Sequence, residues 1–179
     1  MSRFLEYLLG GDLRSIGKSN SVIPKIKTQA DFDELFKYLH YPDRIVVMRA
    51  ADCVEKISSA NPGYLTKHKK EILELSRASV DKELVWHLAQ IIPRLDLTGS
   101  DLKEGWNVLQ QWALDKSGSR IVRTNSIEGL FHLARGRRSA MNNLIDIWSK
   151  VEQENVPSLN ARIKKIRKQL ILQPSKKNE

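Results

Sequence analysis

The sequence has very little of what several classes of protein require. Its 179 residues include one cysteine, Cys53, so it cannot form an internal disulfide, and we expect the reducing cytoplasm as its location. No apolar run approaches the roughly 20 residues that a transmembrane helix needs, so we expect no membrane span. The first apolar stretch contains Glu6 and lacks a cleavage site of small residues, which argues against a secretory signal.

Glycine and proline are also scarce, at nine and six residues. They lie between segments of helical periodicity, and no segment alternates apolar and polar residues as a β-hairpin would. The pattern therefore predicts an all-α protein with short connectors. The conformation of residues 10–27 stays open, because three glycines and Pro24 interrupt it. Helices are expected at 2–9, 28–40, 43–59, 62–77, 81–95, 99–116, 119–135, 137–154 and 157–172.

Three segments resemble one another at a spacing of 38 residues, beginning at Asp43, Asp81 and Ser119. Each opens with a residue whose side chain can cap a helix, continues with a basic residue, and has apolar residues at equivalent places. A fourth, less regular copy begins near Pro157. An amphipathic helix precedes each copy, and a single helix pair cannot bury its apolar faces. We therefore predict a right-handed α-α superhelix of about four stacked helix pairs.

The segment from Pro42 to Ala51 has a turn aspartate, an arginine six residues later and then two alanines, and it resembles the HEAT-repeat signature. The segments 11–20 and 85–90 also look like bacterial HEAT-repeat proteins without an assigned activity. The resemblance covers 28–172 and implies a non-enzymatic scaffold with a HEAT/armadillo-like fold. Residues 1–27 would form a degenerate N-terminal cap, and 173–179 a flexible tail.

The second helices of such repeats commonly line a concave face, which favours binding of a protein or peptide there. Polar residues recur on these helices at the repeat spacing and at positions three and seven residues further on. The alternative for any one of them is that it stabilises a neighbouring repeat. The predicted partner-binding strip, called the polar strip below, comprises Arg49, Asp52, Lys56, His87, Gln90, Arg94, Asn125, Glu128 and His132.

The net charge of +9 is concentrated near the C-terminus. Residues 135–179 hold eleven basic and four acidic side chains, whereas residues 1–134 hold nineteen and seventeen. This asymmetry predicts either binding of double-stranded DNA, as in the HEAT-like DNA alkylpurine glycosylases, or the charged outer face of a capping repeat. The basic patch comprises Arg135, Arg137, Arg138, Lys164, Lys165, Arg167 and Lys168.

No residue pattern in the sequence indicates catalysis, a cofactor or a metal. The four histidines lack the spacing of zinc ligands, and no nucleophile-elbow motif occurs. The segment Gly11-x5-Gly17-Lys18-Ser19 is one residue too long for a phosphate-binding loop and follows no strand. We therefore expect a protein that is not an enzyme. The partner's identity and the oligomeric state are left open.

Overall fold

A computed structural model describes residues 3–12 and 14–172, and the prediction of a tail at 173–179 lies outside them. The all-α prediction is confirmed, because every regular element among the described residues is helical. The α-helices are α1 (Leu5–Leu8), α2 (Gln29–Phe36), α3 (Arg44–Ala60), α4 (Lys69–Ala78), α5 (Lys82–Ile91), α6 (Gly99–Leu114), α7 (Arg120–Ala134), α8 (Arg138–Glu152) and α9 (Pro157–Leu172). Short 3₁₀ turns cover Ser19–Ser21, Ile23–Lys25, Lys37–His40, Pro62–His68 and Ile92–Arg94.

The chain divides into two compact units, Met1–Leu97 and Thr98–Glu179. In the N-terminal unit, α2 packs on α3, α4 packs on α5, and α3 lies beside α5. In the C-terminal unit, α6 packs on α7, α8 packs on α9, and the equivalent helices lie side by side as α6 with α8 and α7 with α9. Each unit therefore contains two helix pairs stacked through equivalent helices.

The apolar positions that recur at the repeat spacing are buried, as the pattern predicts. Burial of each such side chain is worth about 1.5–3 kcal/mol, so the recurring positions supply much of the driving force for stacking. The buried sets are Val46, Leu84 and Val122; Val54, Ile92 and Leu130; and Ile57, Leu95 and Leu133.

The three predicted helix caps behave differently from one another. The Asp43 carboxylate accepts a hydrogen bond from the Ile45 amide at 2.8 Å, as expected. Asp81 and Ser119 occupy the N-cap positions of α5 and α7, but their side chains make no cap hydrogen bond, so those two predictions are wrong. The Asp81 carboxylate instead pairs with Arg44 Nε at 3.0 Å and thereby joins α5 to the start of α3.

Arg49 on α3, which is 1% exposed, holds the N-terminal segment against that helix, together with contacts from Cys53 to Ser19 and from Lys56 to Asn20. Its Nη1 donates to the carbonyl oxygens of Leu8 and Leu9 at 2.9 and 2.8 Å. Its Nε and Nη2 donate to the Ser15 carbonyl at 3.1 and 3.0 Å. Gly17 has φ +55°, and a Cβ there would lie 2.8 Å from Arg49 Cζ, so a side chain has no room. Gly11, with φ +75°, lies against the same guanidinium, because a Cβ there would be 3.0 Å from Arg49 Nη2.

We predict that Arg49→Met lowers the free energy of unfolding by about 3 kcal/mol, because the carbonyl groups of Leu8, Leu9 and Ser15 lose their donors. Urea denaturation would measure the loss, and limited proteolysis would show faster cleavage within residues 1–27. Arg14→Met is the matched control, since Arg14 lies in the same segment and is exposed. Equal stability of the two variants would contradict the anchoring role of Arg49.

Candidate functional site

Two members of the polar strip, Arg49 and His87, are buried, at 1% and 4% exposure. A buried side chain cannot contact a partner, so assigning these two residues to a binding surface is wrong. The structure places Arg49 among backbone carbonyls and His87 in the core of the N-terminal unit. Recurrence at the repeat spacing identified equivalent helix positions without distinguishing a buried polar residue from an exposed one.

His87 is a neutral residue of the core. Burial lowers its pKa to about 4, and this effect outweighs the opposing influence of the nearby Asp52 carboxylate. Its Nδ1 has no hydrogen-bond partner within the described part of the chain. The imidazole therefore contributes packing volume rather than charge near neutral pH.

The other strip residues of the N-terminal unit are mostly engaged in contacts within that unit. Lys56 Nζ lies 2.6 Å from the Asp52 carboxylate and donates to Asn20 Oδ1 at 2.9 Å. Arg94 forms an ion pair with the Glu55 carboxylate and also donates to the Glu55 carbonyl at 2.6 Å. These contacts fit the alternative interpretation, in which such residues stabilise neighbouring repeats.

The strip residues of the C-terminal unit are more accessible. Glu128 on α7 forms an ion pair with Arg162 on α9, 34 residues away. Asn125 is half-buried and His132 is exposed. In the N-terminal unit Gln90 is half-buried in the same way. Gln90 and Asn125 are therefore the accessible amide members of the strip, and His132 is its accessible imidazole.

The basic patch contains both paired and unpaired cations. Arg167 makes a two-pronged ion pair with Glu152 at 2.7 and 2.9 Å and lies 5.5 Å from the centre of the Trp148 ring. Lys164, Lys165 and Lys168 are exposed, and no carboxylate of residues 3–170 pairs with them. Their spacing places them on one face of α9, so this face carries uncompensated positive charge.

The sequence analysis did not single out Arg123, a buried arginine of the C-terminal unit. Its Nε donates to the Ala113 carbonyl at 3.0 Å, and its guanidinium lies 2.8 Å from the Glu154 carboxylate. The hydrogen bond from Arg123 lowers the pKa of Glu154. Arg123 thus joins the end of α6 to the connector between α8 and α9. It does not occupy the position equivalent to Arg49, so the repeat spacing could not reveal it.

A second group missed at the sequence level links two histidines with two carboxylates in the N-terminal unit. His68 Nε2 lies 2.8 Å from Asp33, and His40 Nε2 lies 2.6 Å from Glu71. His68 Nδ1 is 3.5 Å from Glu71, and its ring stacks on Phe36 with a centroid separation of 3.9 Å. The group ties α2 and the following turn to α4, which is a structural role.

The chemistry of Cys53 and of the potential metal ligands can be read from the described residues. Burial raises the pKa of the Cys53 thiol to about 12, and its Sγ donates to the Ser19 carbonyl at 3.3 Å, so the thiolate nucleophile is disfavoured. Among the described residues, no three His, Cys, Asp or Glu side chains are grouped to hold a metal ion. None of the described helices is both long and apolar enough to cross a bilayer.

The C-terminal unit contains one further feature, a cleft of about 330 Å³ between α6, the end of α7 and the start of α8. We call it the α6–α8 cleft. Its walls are mostly apolar, and two cationic side chains lie among the lining residues. The cleft is lined by Gly99, Leu102, Lys103, Trp106, Leu133, Arg137, Ser139, Ala140 and Asn143.

Comparison with known proteins does not place the chain in a family. No family model, no curated protein and no solved structure matches it. The functional proposals below therefore rest on the geometry and chemistry of the residues described above.

We predict that stability falls as the pH drops from about 6.5 towards 4, because the unfolded state binds a proton at His87 that the folded state excludes. The full loss from this group is about 3 kcal/mol, reached below its folded pKa. Urea unfolding between pH 7 and pH 4 would measure the slope. His87→Gln should remove this part of the slope, whereas His132→Gln, at an exposed position, should retain it. A slope unchanged in His87→Gln would contradict the assignment.

Proposed function

We propose that the chain is a non-enzymatic HEAT-like scaffold whose helix pairs continue as a right-handed superhelix and bind a protein partner on the concave face. The observation that carries the proposal is stacking of equivalent helices in each unit. In the N-terminal unit this stacking is reinforced by ion pairs that join residues one repeat apart. Arg44 with Glu83 and Arg94 with Glu55 are both separated by 39 residues. The 38-residue spacing from Asp81 to Ser119 supports continuation of the repeat.

The proposed contact surface is narrower than the polar strip. It excludes the buried Arg49 and His87, and it gives less weight to charged residues whose ion pairs a partner would have to replace. Gln90 remains on α5 in the N-terminal unit, and Asn125 and His132 remain on α7 in the C-terminal unit. The side-chain amides of Gln90 and Asn125 carry no charge, so a partner that contacts them does not have to replace an ion pair.

We expect the triple variant Gln90→Ala, Asn125→Ala and His132→Ala to recover a protein partner at least ~10-fold less efficiently than the unmodified chain, because several central contacts are lost together. The measurement is affinity capture after cross-linking in the source cells, with quantitative mass spectrometry.

The matched control replaces Gln111, Asn142 and Gln153, which are exposed polar residues outside the strip, by alanine. This variant should capture the same partner in undiminished yield. Equal recovery by the strip variant and the control would remove the proposed contact surface.

A second candidate function, binding of double-stranded nucleic acid, is favoured by one specific observation. Lys164, Lys165 and Lys168 share a face of α9 without a carboxylate partner in residues 3–170, while Arg162 and Arg167 beside them are paired. Unpaired lysines can neutralise phosphates without giving up an intramolecular interaction. The competing interpretation is that these lysines only keep the outer face of the last helix hydrated.

If the three lysines each contact a phosphate, affinity for a random-sequence duplex should fall ~40-fold between about 50 and 200 mM salt. Fluorescence anisotropy with a labelled duplex measures this dependence. The triple variant Lys164→Glu, Lys165→Glu and Lys168→Glu should abolish binding. Lys18→Glu, Lys37→Glu and Lys70→Glu change the net charge equally at exposed positions elsewhere, and should retain most of it. Equal losses would indicate a net-charge effect and contradict a site on α9.

A further inference from the structure

The α6–α8 cleft has walls suited to a bulky apolar group. Leu102 and Trp106 come from α6, Leu133 from the last turn of α7 and Ala140 from the first turn of α8. Trp106 Nε1 donates to Gln110 Oε1 at 3.0 Å, so the polar edge of the indole is already satisfied within its own helix. The volume of about 330 Å³ is at the small end of the range for ligand pockets, and the mainly apolar lining is typical of them.

The charges in the cleft are of one sign. Of the described residues that line it, Lys103 and Arg137 are the basic ones, none is acidic, and both basic side chains are exposed. One guanidinium nitrogen of Arg137, Nη1, donates to the Leu133 carbonyl at 2.8 Å, and this contact keeps the side chain close to the apolar wall. An occupant with carboxylates next to its apolar group would therefore complement the cleft.

We propose that the cleft binds a short segment of a protein partner in which a bulky apolar side chain is flanked by acidic residues. The inference rests on the proposed scaffold function and specifies the chemistry of a partner. The apolar side chain enters between Leu102, Trp106 and Leu133, and the flanking carboxylates pair with Lys103 and Arg137. Burial of the apolar group supplies affinity, and the cations select against neutral and basic segments.

Two other occupants fit the cleft less well. Residues 173–179 of the chain itself, Gln-Pro-Ser-Lys-Lys-Asn-Glu, offer no large apolar side chain and carry two lysines that would meet the cations. A nucleic acid duplex would satisfy the cations but presents phosphates rather than an apolar group to the walls. An acidic peptide with a central apolar residue matches both features.

The test is a titration of the full chain into a labelled six-residue peptide with central phenylalanine and leucine between pairs of aspartates. Ala140→Trp fills the cleft, and the double variant Lys103→Glu with Arg137→Glu reverses its charge. We expect each to weaken binding at least ~10-fold. Lys70→Glu with Lys150→Glu, an equal charge change at exposed positions outside the lining, should stay within about twofold. Circular dichroism checks folding, and the charge variants keep the test valid if Ala140→Trp unfolds.

Two control peptides test the apolar and the acidic residues of the peptide separately. Replacing the central residues by alanine, or the aspartates by lysine, should abolish binding. The inference is overturned if the unmodified chain does not bind the acidic peptide, if the alanine peptide binds equally well, or if both charge-reversed doubles lose affinity equally. It is also overturned if a folded Ala140→Trp retains affinity.

Cellular capture separates the two proposals. A partner lost from the strip variant but kept by Ala140→Trp leaves the scaffold standing without the cleft. Loss from Ala140→Trp alone supports the cleft.

Discussion

The N-terminal unit depends on a charge that is buried inside it. A guanidinium taken out of water is strongly destabilising unless its donors are satisfied, and Arg49 satisfies them with three backbone carbonyl groups from the segment before α2. The helix and the segment therefore stabilise each other. α3 also packs against α1, α2 and α5, so the position of α3 relative to this segment affects how those helices pack. Position 17 must be a glycine for the same reason, because a Cβ atom there would collide with the Arg49 guanidinium.

Arg49 and Arg123 show that the two units solve a similar problem with different residues. Each is a buried arginine on the second helix of a pair, and each donates to the backbone of a neighbouring segment: Arg49 to three carbonyl groups and Arg123 to that of Ala113. Arg123 also meets a carboxylate, Glu154, whereas the hydrogen bonds of Arg49 go to carbonyl oxygens. In both cases an arginine bridges a helix and an adjacent connector, which an apolar residue of similar size could not do.

The sequence was sufficient to predict the helices and the buried apolar positions, because both follow from local periodicity. Predicted spans such as 43–59 and 119–135 agree with α3 and α7 to within a residue or two, and Val54, Ile92 and Leu130 are buried together as their shared spacing requires. The candidate site was less predictable. Whether a polar residue at the Arg49 or His87 position faces water or the interior depends on which distant backbone covers it, and helical spacing carries no information on that. The α6–α8 cleft likewise arises where three helix ends leave a gap, which no local pattern records.

The distribution of ion pairs argues that the C-terminal unit separates structural charges from charges that face solvent. Three arginines take paired positions: Arg123 with Glu154, Arg162 with Glu128, and Arg167 with Glu152. Lysines such as Lys164, Lys165 and Lys168 take exposed positions. The planar guanidinium forms fixed two-pronged contacts, whereas an ammonium group on a flexible stem is strongly hydrated and pairs weakly. Pairing of the arginines holds α7, α8 and α9 in place, so the lysines and the cationic edge of the cleft are presented on a rigid surface. A rigid surface with exposed cations loses less conformational entropy when it binds an acidic partner than a flexible surface would.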